Sequence, residues 1–138
     1  MACCFFGHRD APGSVRGEIA AAIEKRIGEG EREFFVGNNG AFDRMVQAIL
    51  HEIAERSGEI EYVVVLSSPS ELGGVADGLP TMLPDGIECA PPRFAIDRRN
   101  EWMLRHCGCA IVYYRHRFSS CEKWVEKARR RGMHIIEI

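Results

Sequence analysis

Five short apolar runs, each parted from the next by a helical or loop pattern, constrain this chain more than any other feature; they cover residues 2–6, 33–36, 61–66, 109–114 and 134–138. The runs at 61–66 and 109–114 are almost continuously apolar, as strands are when helices cover both faces of their sheet, whereas a strand with one wet face would alternate. Strands that alternate with helices along a chain build βαβ units on a parallel sheet. The expected fold is therefore α/β: a Rossmann-like three-layer sandwich with a mainly parallel sheet of five or six strands, for which residues 87–89 offer a further short strand. A length of 138 residues suits one domain, since domains commonly hold roughly 100–150 residues.

Between the runs, Val15, Ile19, Ala22, Ile23 and Ile27 recur at helical spacing, as do Phe42, Met45, Val46, Ile49, Leu50 and Ile53, so each set marks an amphipathic helix with one buried stripe. The last helix shows Cys121, Trp124, Val125 and Ala128 at the same spacing, opened by Ser119 and Glu122 at the interval of a capping box and closed by Gly132. Residues 93–106 form a less regular helix with Trp102 and Met103 as its core members and Gly108 near its exit. Residues 67–92 hold five of the six prolines together with Gly73, Gly74, Gly78 and Gly86, which makes them a loop-rich excursion, either a cover over a site or a surface connection.

The formal charge of −2 conceals an asymmetry: residues 1–92 carry 7 Lys/Arg against 15 Asp/Glu, while residues 93–138 carry 11 against 5. A basic C-terminal third attracts phosphates, yet Lys123, Lys127, Arg129, Arg130 and Arg131 share one helix, as the residues of a solvated face do. No aromatic residues interleave a basic stripe and no DNA-reading helix accompanies it, so nucleic acid is not the expected partner. No run approaches the ~20 apolar residues of a membrane span and the N-terminus carries no basic leader, which leads us to expect a cytoplasmic protein without a membrane partner. Cys3, Cys4, Cys89, Cys107, Cys109 and Cys121 are expected to stay reduced, because several lie within strand-like runs where small buried thiols are ordinary. Cys107 and Cys109 lack the second spaced pair of a zinc site, and strand alternation would direct both to one face as core residues. Neither a metal nor a cofactor is expected.

Two glycine-bearing segments stand at expected strand exits: Gly7, His8 and Arg9 after the first, and Gly37, Asn38, Asn39 and Gly40, leading to Asp43, after the second. In an open parallel sheet the strand exits form the ligand crevice. Glycine there lets the backbone approach a ligand, and the helix that follows offers unpaired N–H groups and a partial positive charge, so an anion is the natural guest. Arg9 adds a planar pair of donors for phosphate or carboxylate. Each residue also has a structural use: Gly7 and Gly37 permit tight turns, Asn39 caps the second helix and Asp43 favours its first turn. His8 is a candidate general acid/base or phosphate donor. A third polar segment precedes Trp102 and Met103; helical spacing brings Asp97, Asn100 and Glu101 together with Arg98 and Arg99 flanking, either as salt bridges or as a face that leans over the crevice towards a base, a ribose or a second subunit.

In order and spacing, the segments Cys3 to Arg9, Phe35 to Asp43, and Ala95-Ile96 with Arg99 to Met103 resemble the small bacterial GHR-motif proteins of the SLOG superfamily, which is named for the DNA-processing protein A and Lonely Guy groups. The likeness spans nearly the whole chain. It implies a Rossmann-like fold, a nucleotide-like small molecule as partner, and a crevice built from Gly7, His8, Arg9, Gly37, Gly40, Asp43, Arg99 and Asn100; by analogy it also implies a homodimer. The last site loop departs from the pattern: where relatives carry a Gly-Gly pair before the final helix, this chain has Ser119 and Ser120, whose hydroxyls can donate to phosphate while their side chains replace bare backbone. Lonely Guy enzymes, which resemble hydrolases releasing a base from a nucleoside monophosphate, use a Pro-Gly-Gly-x-Gly-Thr-x-x-Glu stretch there, and this sequence has none. The expected function is accordingly the binding or sensing of a nucleotide or nucleotide-derived phosphate ligand. The alternative is a phosphoribohydrolase-like N-glycosidase, for which His8, Glu122 or Asp43 would supply the acid or base; nucleic-acid binding comes third.

Overall fold

In the computed structural model, which describes residues 2–117 and 119–138, the apolar runs become strands of one sheet: β1 (Ala2–Gly7), β2 (Glu33–Val36), β3 (Glu61–Val65), β4 (Thr81–Met82), β5 (Cys107–Tyr113) and β6 (His134–Glu137). All neighbouring strands run parallel, in the order β4-β3-β2-β1-β5-β6. The helices are α1 (Arg16–Gly28), α2 (Ala41–Ser57), α3 (Ala95–His106) and α4 (Glu122–Arg130). Cys3 and Phe5 of β1 pack with Ile19 and Ile23 of α1 and with Phe42, Val46 and Leu50 of α2. Cys4 and Phe6, pointing the other way, pack with Met103 and Leu104 of α3 and with Trp124, Val125 and Ala128 of α4. A central strand wetted on neither face reads as a continuous apolar run, and this is the expected Rossmann-like three-layer sandwich. No helix among the described residues is long and apolar enough to cross a membrane.

Three local expectations are corrected. Residues 87–89 form a 3-10 turn, Ile87–Cys89, and the sixth strand is Thr81–Met82, paired with Val64 and Val65. Gly86 enters that turn with φ 78 and the chain runs on to Pro91 and Pro92, which donate no N–H to a ladder, so pairing is confined to the stretch between Pro80 and Pro84. Cys107 and Cys109 do not share a face: Cys109 joins the core under α1 and α2 while Cys107 packs towards α3 and α4. The register against β1 slips there, Ala2 facing Cys107 and Cys3 facing Cys109, so Gly108 is an extra residue that breaks the alternation. All six cysteines are free thiols. Finally, the capping box at α4 does not form. Helix α4 has no side-chain cap, and the Ser119 hydroxyl lies 3.3 Å from Cys121 Sγ instead.

Met103 is buried as expected, with Leu104 beside it, whereas Trp102 is half-buried, edge-on to Phe35 with ring centroids 5.2 Å apart. The charged positions of α3 divide by side. Asp97 pairs with Lys123 at 3.1 Å and Glu101 pairs with Lys127, both on α4, while Arg99 and Asn100 turn inward.

The tightest constraint on the core is Gly7, where a Cβ would lie 2.3 Å from the ring of the fully buried Phe42. Gly17, inside α1, has open space around it. We therefore expect Gly7→Ala to destabilise the protein by about 1–3 kcal/mol, the usual cost of overpacking, and Gly17→Ala to stabilise it by about 0.5–1 kcal/mol through helix propensity. Urea melts of the two variants, with shifts of opposite sign, check both.

Candidate functional site

Winding runs outward from β1 through β2 and β3 to β4, then reverses, because β5 lies on the other side of β1. Such a reversal parts the loops at the strand exits and opens a crevice between them. A cleft of about 260 Å³ occurs there, lined by Gly7 and Arg9 from the β1 exit, Asn39 and Asp43 from the β2 exit and α2, and Ser120 and Cys121 from the loop before α4. Arg99, Asn100, Arg93 and Ile96 close it from the α3 side, with Met103 and Trp124 at its floor.

Arg99 organises this end of the sheet. It is 1% exposed, and its side chain reaches from α3 over the exits of β2 and β3. Nε donates to Asn100 Oδ1 at 2.8 Å and Nη1 to the Val65 carbonyl at 3.1 Å; Nη2 makes no hydrogen bond among the described residues. Burial lowers the pKa of this guanidinium, the negative charges of Asp43 and Glu71 act to raise it, and Arg9 acts to lower it. Gly37 makes the position possible, since a Cβ there would lie 3.0 Å from both the Arg99 guanidinium and Asp43 Oδ2. Glu71 is held at the β3 exit by the Ser67 hydroxyl at 2.7 Å and by the main-chain N–H groups of Ser67 and Ser68.

Asp43 takes the role foreseen for Asn39 in reverse: its Oδ2 accepts the Asn39 main-chain N–H at 2.8 Å, closing the turn ahead of α2. Burial pushes this carboxyl up to about 6, against the opposing pull of Arg99, the Asn39 N–H and Arg44. Asn38 lies outside the cleft; its Oδ1 and the Gly37 carbonyl accept from Gln47 Nε2 at 3.1 and 2.9 Å. Gly40 is also structural. It has φ 105, a Cβ there would meet Arg9 Cα at 2.6 Å, and the next residue, Ala41, donates its N–H to the Arg9 carbonyl at 2.8 Å. That close approach fixes the Arg9 backbone against α2 while its side chain stays exposed, with no hydrogen bond or ion pair among the described residues.

His8 is not among the residues that line the cleft. Its Nε2 accepts the Arg115 main-chain N–H at 2.8 Å, and its Nδ1 lies 3.5 Å from Cys121 Sγ. The ring stacks on His116 at 4.0 Å and 5°. Burial and then the charge of His116 lower the His8 pKa, so the imidazole is neutral with the proton on Nδ1, and it ties the β1 exit to the β5 exit. Asp10 brings a third potential ligand atom within 4.8 Å of those of His8 and His116. Parallel stacked rings, however, keep their lone pairs in two separate planes, and His8 Nε2 is already committed, so this geometry does not converge on an ion. Glu122 also lies outside the cleft lining; burial first and the neighbouring Glu122 carboxylate second raise the Tyr114 pKa. Ser119 is likewise outside the lining.

The structure thus gathers Gly7, Arg9, Asn39, Asp43, Arg99, Asn100 and Ser120 on one cleft, and leaves His8, Gly37, Asn38, Gly40, Ser119 and Glu122 off its lining. Sequence reasoning missed Arg93, Ile96, Cys121 and Trp124. Cys121 and Trp124 were visible only as members of a core stripe, and Arg93 follows a Pro-Pro pair that gives no sign of which way its side chain turns.

Because the Asp43 carboxyl binds its proton more tightly in the fold than in the open chain, its contribution to stability falls as pH rises from about 4 to about 6. Asp43→Asn, which keeps an acceptor for Asn39, is expected to remove that fall; denaturant melts of both proteins at pH 4, 5, 6 and 7 would show the stability difference narrowing or changing sign across this window. Compared with protein-family models and with curated proteins, the chain finds no match, and the cleft is interpreted on its own geometry.

Proposed function

We propose that this crevice binds the phosphate group of a nucleotide or nucleotide-derived ligand, and that the protein acts by binding or sensing that ligand. The observation that carries the proposal is Arg9: its main chain is pinned by the Ala41 N–H and its guanidinium has no partner among the described residues, beside Arg99 at the point where the sheet reverses. Two guanidinium groups at one cleft favour an anion with several oxygens, and Ser120 and Asn39 line the same cleft. The negative charge of Asp43 is opposed within the protein by Arg99 and by the Asn39 N–H that its carboxyl accepts. The likeness of the three polar segments to GHR-motif proteins of the SLOG superfamily, on a fold of the same coarse type, favours a nucleotide over other phosphate esters.

Binding is favoured over base-releasing hydrolysis because the candidate acid/base groups are committed elsewhere. His8 Nε2 holds the Arg115 N–H outside the cleft, Glu122 interacts with Tyr114, and Asp43 accepts from Asn39. A small molecule is favoured over nucleic acid because the basic helix is matched internally, Lys123 by Asp97, Lys127 by Glu101 and Arg129 by Glu137.

Arg9→Ala is expected to weaken a phosphate-bearing ligand by roughly 1.5–3 kcal/mol, on the order of tenfold to a hundredfold. Calorimetric titration with nucleoside monophosphates measures this, and an unchanged affinity would remove Arg9 from the site. Incubation with adenine, guanine and cytosine monophosphates is expected to release no base above background. Turnover near the ~1 s⁻¹ of ordinary enzymes, abolished by Glu122→Gln or His8→Ala in a folded protein, would replace the binding role with a hydrolytic one.

A further inference from the structure

A second cavity, of about 440 Å³, lies between the β3 exit and the start of α3, and Ile96 lines both it and the cleft described above. The two differ in charge. Three cations, Arg9, Arg93 and Arg99, line the first together with Asp43 and with Asp97, which pairs with Lys123, whereas the second has no cation and Glu88 is its only charged residue among those described. The walls of the second are otherwise apolar or hydroxylic: Pro69, Ile87, Pro92 and Ala95 on one hand, Ser68 and Ser70 on the other. The Ser68 and Ser70 hydroxyls lie 2.7 Å apart, so one donates to the other and both keep lone pairs for a donor on a ligand. Glu88 is exposed and forms no ion pair among the described residues.

These features assign different parts of one ligand to the two cavities. A phosphate is repelled by an unpaired carboxylate and finds no cation in the second cavity, while a flat, uncharged ring with N–H groups on its edge fits apolar walls that end in acceptors. Size is compatible with this: 260 Å³ alone falls short of the ~300 Å³ at the lower end of small-molecule sites, so a ligand bound at the first cavity has reason to extend into the second. We propose that the cavity lined by Ser68, Ser70, Ile87 and Glu88 holds the neutral heterocyclic base of a nucleotide whose phosphate is bound at Arg9 and Arg99, with the sugar passing Ile96. This rests on the phosphate-binding role proposed above and adds the orientation of the ligand across the crevice.

The test separates the two ideas by titrating inorganic phosphate, ribose 5-phosphate, adenosine monophosphate and guanosine monophosphate into the wild type and into Ala90→Phe. Ala90 lines the second cavity only and has an extended backbone, φ −76 and ψ 137, that a phenylalanine adopts without strain. In the wild type at least one of the two nucleotides is expected to bind about tenfold or more tightly than ribose 5-phosphate, the gain of burying a base. Ala90→Phe should remove that gain and leave the affinity for ribose 5-phosphate unchanged. Should this variant fail to fold, Ser70→Phe fills the same cavity from an exposed position. Ribose 5-phosphate binding that Arg9→Ala weakens, with no gain for either nucleotide or with a gain that survives the filled cavity, would overturn this assignment while leaving the phosphate site standing. If none of the four compounds binds, the phosphate site and the base cavity both fail.

Discussion

A guanidinium inside a protein must be held by acceptors and opposing charge, and Arg99 imposes that requirement on the whole C-terminal edge of this sheet. Several elements answer it. The last residue of β3 gives a carbonyl, α3 gives Asn100, α2 and the turn after β3 give the carboxylates of Asp43 and Glu71, and β2 is followed by Gly37, which has no side chain to obstruct the approach. Removing the cation would leave the charge of Asp43 buried without its nearest opposite, so the strand exits are coupled through one side chain instead of packing independently. A buried ion is a poor source of net stability. Its use here is positional: it fixes where the loops stand.

The glycines act differently from what their positions suggest. At strand exits they are expected to expose backbone to an anion, yet Gly7, Gly37 and Gly40 each make room for a neighbour in the protein: Phe42, the Arg99–Asp43 pair and the Arg9 main chain. Polar groups on the cleft come mostly from side chains carried on backbone that those close approaches have fixed. His8 belongs to the same scheme. As an acceptor for the Arg115 N–H it joins the exits of the two strands between which the cleft opens, so its burial and neutrality serve the placement of the loop that carries Ser120.

The layers of the fold were legible in the sequence because a parallel strand covered on both faces leaves an apolar run that few other structures produce. Cys3, Cys4, Phe5 and Phe6 show this most fully, their alternate side chains entering two separate cores. What stayed hidden depends on contacts between distant segments. The slip at Gly108 arises from pairing with β1, and no local pattern distinguishes Cys107 and Cys109 on one face from the same residues on two. The strand at Thr81 and Met82 is too short to have a periodicity, and its partner alone defines it. Of the candidate site, the residues at the first two strand exits and Arg99 with Asn100 were named in advance by their motif positions. Sequence spacing could not show that Arg99 turns inward whereas Arg98 stays exposed, nor that Ser119 would turn to Cys121 and leave α4 uncapped.

The brevity of β4 has an effect beyond the crevice. An open sheet ends in a strand whose outer N–H and C=O groups are unpaired, a template on which another chain can add. Here that border is two residues long, with Pro80 immediately before it and Pro84 close behind, so an incoming strand finds too few donors to start a ladder. The opposite border, β6, is only four residues and carries Glu137 tied to Arg129 of α4. Both margins of the sheet are thereby poor starting points for intermolecular β-pairing, which leaves a protein with so apolar a central strand protected against the aggregation its sequence would otherwise invite.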